Sequence, residues 1–143
     1  MSLYTTVHLH NVPAGRESEY AAWYEGPHTQ ALARLRGFKG TERYQVSAVQ
    51  IMPDIAQPWQ FMSIYDFDLP APEIDLPALG PLVADARDTG LILDNDTERL
   101  YSYRMYSDWN ASPNHQPDQP FSGVSIILGN YVAGRGEEYH KWY

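Results

Sequence analysis

Histidine is the side chain best suited to proton transfer near neutral pH, and three of the five histidines in this chain fall within its first 28 residues. His8 and His10 lie in Leu3 to His10, where Val7 and Leu9 alternate with Thr6, His8 and His10. A period of two predicts a strand with both imidazoles on one face. Such a pair can share a metal ion, but no third ligand is evident unless His28 or a carboxylate completes the set. The expectation is therefore no metal; orienting the carbonyl or phenol of a bound molecule is the favoured functional role, set against ordinary polar contacts on a sheet face.

His28 sits one turn after Tyr24 on a stripe of apolar, aromatic and imidazole side chains at 20, 23, 24, 28, 31, 32 and 35. At 100° per residue these positions share one side of a helix beginning near Glu17, with Glu17, Ser18 and Glu19 in its first turn, where carboxylates suit the dipole. The stripe would aim His28 into an apolar pocket as a general acid or base; the plain alternative is a core histidine bonded to a carbonyl. Trp23, Tyr24, Tyr65 and Phe67 have the shape of pocket lining for an aromatic or polyketide-like ligand, and equally the composition of a core.

The elements that must position these groups follow in order. Pro27 lacks an N–H and crowds the carbonyl one turn back, so a kink is expected at Gly26-Pro27. Gly37-Phe38-Lys39-Gly40 ends the helix. Thr41 to Val49 and Trp59 to Phe67 read as strands joined by a turn-rich stretch containing Pro53 and Pro58. Prolines at 70, 72, 77 and 81 predict a restrained, extended segment. A second helix is expected over about Leu82 to Thr89, stopped by Gly90, and a fourth strand over Glu98 to Ser107. The order is β-α-β-β-α-β, the ferredoxin-like α+β arrangement.

A net charge of −8, with scattered basic residues, repels nucleic acid and anionic membrane alike. There is no cysteine, so disulfides and thiolate chemistry are excluded. No apolar run approaches a spanning helix and no leader is visible, which places the expected location in the cytoplasm. Gly37 to Gly40 lacks the context of a phosphate loop, the serines form no nucleophile elbow, and Asp85, Asp88, Asp94 and Asp96 lack calcium-loop spacing. No cofactor is expected.

Asn11 to Tyr24 recurs as Asn130 to Tyr143, with Asn, Ala, Gly, Arg, Glu, Tyr, Trp and Tyr matched at a constant offset. The expected organisation is a ferredoxin-like domain over 1–107, a proline-rich linker over 108–123, and the start of a second, truncated repeat over 124–143. That start comprises a fifth strand, Val124 to Tyr131, and a helix stub whose Trp142 and Tyr143 need cover.

The run Val12-Pro13-x-Gly15-Arg16-Glu17, then Tyr20-x-x-Trp23-Tyr24-x-x-x-His28, Leu32-x-x-Leu35-x-Gly37-Phe38 and Glu42-Arg43-Tyr44 resembles the EthD-like branch of the dimeric α+β barrel superfamily. The resemblance covers about residues 6 to 67 well, the fourth strand loosely, and restarts at 124. It implies two ferredoxin-like units paired sheet to sheet as a homodimer, each with a ligand cleft between sheet and helices. It also raises the weight on His28 as the catalytic residue. Arg43 and Tyr44 fall at the family's Arg-Tyr position, where the guanidinium would hold a carboxylate or enolate; a surface ion pair with Glu42 or Asp66 is the alternative. The expected function is binding of a small aromatic or unsaturated molecule, with cofactor-independent oxygenation, decarboxylation or isomerisation open. A non-catalytic binding or assembly module of the same fold is the competing expectation.

Overall fold

The computed structural model describes residues 3–93, 97–106, 112–118, 123–129 and 132–142. Expectations resting on Asp94, Asp96, residues 107–111, 119–122 and 130–131, the Trp142 side chain and Tyr143 lie outside the described residues. The chain forms two compact units, Met1–Trp109 and Asn110–Tyr143.

In the first unit, strands β1 (Leu3–His10), β2 (Phe38–Gln45), β3 (Phe61–Asp68) and β4 (Arg99–Arg104) form one antiparallel sheet in the order β2-β3-β1-β4. Helix α1 (Glu17–Trp23) runs through a π-helical turn, Tyr24–His28, into α2 (Thr29–Leu32). The expected kink takes this form because Pro27 offers no N–H to the normal ladder. The Thr29 hydroxyl donates to the Tyr24 carbonyl at 2.6 Å, satisfying a group the wider turn would otherwise leave short of partners.

The stretch expected to be extended instead holds α3 (Pro72–Asp75), a 3₁₀ turn (Leu76–Ala78) and the start of α4 (Leu79–Asp88). Pro72 and Pro77 each stand at the head of a helical segment and Pro81 in the first turn of α4, where the missing N–H has no intrahelical partner to lose. The prolines start helices here.

Both helical layers lie on one face of the sheet. Leu32, Tyr65, Phe67, Leu69, Leu79 and Val83 form one buried cluster; Val12, Tyr20, Tyr24, Ala86, Leu91 and Ile92 form another. Each fully buried large apolar side chain contributes roughly 1.5–3 kcal/mol. Among the described residues no helix is long and apolar enough to cross a membrane.

In the second unit, α5 (Gly136–Trp142) repeats α1 with the same bounds at the sequence offset. The turn before it repeats as well. Gly15 and Gly134 have φ of 83° and 82°, and Arg16 and Arg135 bond the carbonyls of Pro13 and Val132 at 3.0 and 2.9 Å. Their Nε atoms donate to Glu19 and Glu138 at 2.9 and 2.8 Å. The strand expected from Val124 is not formed over 123–129, since a strand exists only where a neighbouring strand takes its hydrogen bonds.

Candidate functional site

Strand register sets the floor of the site. Residues directly opposite on paired strands share a face, giving three rows beneath the helices: Thr6, Tyr65 and Thr41; His8, Ser63 and Arg43; His10, Phe61 and Gln45. Tyr20, Trp23, Tyr24 and His28 come down on these rows from α1 and the π turn.

The expected imidazole lies inside this layer. His28 is 2% exposed, stacked beneath Trp23 at 4.2 Å, with its Nε2 3.1 Å from the Tyr65 hydroxyl and the Leu82 carbonyl against the ring. Trp23 is held over it by a 3.0 Å bond from its indole N–H to Asp85 on α4. Burial, then the charge of His8, lowers the His28 pKa to about 4, so the ring is neutral at pH 7. The stripe directs His28 inward, as expected, onto packed neighbours.

His8 and His10 stack at 4.3 Å on the helix side of β1. His8 Nε2 meets Glu98 at 2.8 Å, and Glu98 also lies 3.2 Å from Arg87 of α4. Burial alone would raise the Glu98 pKa, but the His8 hydrogen bond and the charges of His8 and Arg87 bring it below the usual carboxylate range. This carboxylate joins the first strand to the second helical layer. Replacing Glu98 by glutamine is expected to cost about 2 kcal/mol, read as a lowered urea midpoint at pH 7; an unchanged midpoint would remove the bridge from the account.

His10 Nδ1 faces the His8 carbonyl at 3.3 Å and its Nε2 faces the Tyr20 hydroxyl at 2.7 Å. Burial, then His8, lowers its pKa to about 3. Among the described residues no group of three or more histidines or carboxylates is placed to hold a metal.

The open space lies beside Tyr20 and Arg43. A groove of about 360 Å³ is lined by Glu17, Tyr20, Ala21, Arg43, Tyr44, Gln45 and Phe61, within the range of small-molecule sites. The Arg43 guanidinium lies 4.9 Å from the Tyr24 ring centre and 5.4 Å from that of Tyr20, a cation–π position. The ion pair it makes is with Glu25 at 3.0 Å, a residue mostly in water.

Of the residues expected from sequence, Arg43 and Tyr44 line the groove. His8, His10, Trp23, Tyr24, His28, Tyr65 and Phe67 are not among its lining residues: the three imidazoles, Tyr24 and Tyr65 are buried in the layer beneath α1, Trp23 stacks on His28, and Phe67 belongs to the neighbouring core cluster. Tyr20, Ser63 and Glu98 were not singled out. Ser63 had a legible signal, as the small polar residue two positions from both Phe61 and Tyr65 on the same strand face.

No family model matches the sequence, and no curated protein matches it. Solved structures do. A provisionally named antibiotic biosynthesis monooxygenase from Bordetella bronchiseptica aligns over 75% of this chain and 100% of its own, at 13% identity and a TM-score of 0.51. An ethyl tert-butyl ether D (EthD) family protein from Bacillus halodurans C-125 aligns over 74% and 100%, at 11% identity and a TM-score of 0.50. Sheet order, helix placement and these alignments agree: the chain has a ferredoxin-like α+β fold, shared with these two structures.

Proposed function

We propose that the chain binds a small aromatic or unsaturated molecule bearing an anionic oxygen in the groove beside α1. The observation that carries this is Arg43. Its partly buried guanidinium stands on two aromatic rings at the groove wall, with an exposed glutamate as its ion-pair partner. A planar guanidinium in that position offers paired N–H donors to a carboxylate or enolate, and Phe61 and Tyr20 supply flat apolar contact.

If the bound molecule has an acidified C–H or O–H, Arg43 stabilises the anion left when the proton departs. Isomerisation and oxygenation by dioxygen would start from that anion, the proton passing to water in the groove, whereas decarboxylation would reach an equivalent enolate by loss of carbon dioxide. His28 enters this reading as the buried partner of the Tyr65 hydroxyl, outside the residues that line the groove. A second reading, a non-catalytic binding module, is favoured by that same enclosure, since both inner imidazoles are neutral at pH 7 and spent on internal partners.

The protein acts as a homodimer in this proposal, pairing through the sheet face opposite the helices. Alternation puts Val46, Met62, Ile64, Tyr101 and Tyr103 there, and Val46, Tyr101 and Tyr103 are exposed. Residues 124–143 are read as the opening of a second unit of the same kind, supported by the matched bounds of α1 and α5.

The test is calorimetric titration of phenolic and benzoic acids into the native chain and into Arg43→Gln. Native binding is expected, weakened about tenfold or more by the substitution, the loss of one charge-assisted contact. Affinity indifferent to Arg43 would overturn the proposal. Oxygen uptake or product formation with a bound acid would then select the catalytic reading over the binding one.

A further inference from the structure

On the reading of the groove as an anion site, its two ends differ in chemistry. Arg43 marks one end, with its guanidinium over the rings of Tyr20 and Tyr24. Glu17 and Gln45 mark the other. Glu17, Tyr20 and Ala21 fall at i, i+3 and i+4 on one face of α1, and all three line the groove. Glu17 precedes Tyr24 by seven residues, a rise of about 10 Å along a helix axis. Helical side chains lean towards the N-terminus, which carries this carboxylate further from Arg43.

Gln45 follows Arg43 by two residues on the same face of β2, about 7 Å further along the strand. It stands directly across from Phe61, which in turn stands across from His10. His10 is the last residue of β1, where the chain leaves the sheet for the turn into α1. Gln45 and Glu17 therefore come to the same end of the groove, with Phe61 and Tyr20 between them and Arg43.

These two side chains are also uncommitted. Among the described residues, the Glu17 carboxylate and the Gln45 carboxamide enter no hydrogen bond or ion pair. The other polar groups near them are taken: Glu19 is held by Arg16, the Tyr44 hydroxyl donates to Glu42, and the Tyr20 hydroxyl meets His10. A free carboxylate in the lining repels a second anion and attracts a cation, and the carboxamide oxygen beside it accepts from N–H.

We infer that the groove selects a zwitterion: a planar aromatic acid whose anionic oxygen lies on Arg43 and whose ammonium group, carried across the ring, meets Glu17 with Gln45 as a second acceptor. Glu17 is thus a specificity-determining residue. An acid whose ammonium group is next to its carboxylate cannot span the two ends.

The experiment is calorimetric titration of the full native chain with the ortho, meta and para (aminomethyl)benzoates and with their (hydroxymethyl)benzoate counterparts, neutral at that position and of the same size. At low ionic strength the meta or para ammonium acid is expected to bind about three- to fivefold tighter than its hydroxymethyl counterpart, with no such preference in the ortho pair. Salt at about 0.5 M is expected to shrink the preference. Glu17→Gln is expected to abolish it. Glu73→Gln, an equal change of charge on α3 outside the groove, is expected to leave it intact, which separates a local contact from the pull of the −8 net charge on any cation. The native comparison stands by itself should Glu17→Gln fail to fold. Ammonium and hydroxymethyl acids binding alike, with Arg43→Gln still weakening both, would overturn the zwitterion inference and leave the anion site standing. A preference that survives Glu17→Gln would overturn it as well. No binding by any of the acids would overturn the anion site and the zwitterion inference together.

Discussion

Gly37→Ala is expected to cost about 3 kcal/mol or more of folding stability, whereas Gly40→Ala, three residues away, is expected to change it by less than about 1 kcal/mol. Gly37 has φ +74°, which a side chain adopts only at a cost. A Cβ built there would lie 2.3 Å from the Asp68 carbonyl oxygen and 2.7 Å from Leu69 Cδ2. The oxygen is backbone at the end of β3, and it cannot swing away. The two chains are tied at this point, since the Asp68 N–H donates to the Gly37 carbonyl at 2.8 Å, and Leu69 is itself buried core. Moving β2 away from β3 here would disturb the register that sets Arg43 beside Ser63 and Thr41 beside Tyr65. A Cβ at Gly40 meets no heavy atom within 4 Å. Urea unfolding of the two variants reads the difference; equal midpoints would mean that the close approach at Asp68 carries no weight.

Much of this architecture was legible because periodicity survives folding. The alternation at Thr6, His8 and His10 put three polar groups on the helix side of β1, where they are found buried. The stripe from Tyr20 to Leu32 named the inner side of α1 and its continuation, and Pro27 marked the place where the helix changes form. Periodicity says which way a residue points but not whether space or another side chain awaits it, so His28 was placed on the right side without its sealed surroundings. Glu98 was invisible for a different reason. Its partner His8 is ninety positions away, and neither local sequence carries a trace of the pairing. The prolines of 70–81 were read by their usual effect, when their position within a helical turn decides it.

Acid is expected to unfold the protein through its two buried imidazoles. The folded-state pKa values are about 3 for His10 and about 4 for His28, against 6.5 for the unfolded chain. Both are lowered, so below pH 6.5 the unfolded state binds protons that the folded state refuses, and stability falls with pH. Their contribution is fully present above pH 6.5 and is lost progressively down to the folded values. Going from pH 7 to pH 5 removes about 2 kcal/mol per histidine, or about 4 in all, at roughly 1.4 kcal/mol per unit. That is a large share of the 5–15 kcal/mol typical of a domain. Loss of net negative charge on approaching the sequence pI near 4.9 acts in the opposite direction by reducing self-repulsion, so a fall in stability over this interval is specific to groups buried in neutral form. Urea midpoints measured between pH 8 and pH 5 are the test, with His28→Gln expected to flatten the curve by about half. A flat native curve would mean that water reaches His10 and His28. The neutral rings that the Tyr20 and Tyr65 hydroxyls meet at 2.7 and 3.1 Å would then take up protons within the working pH range.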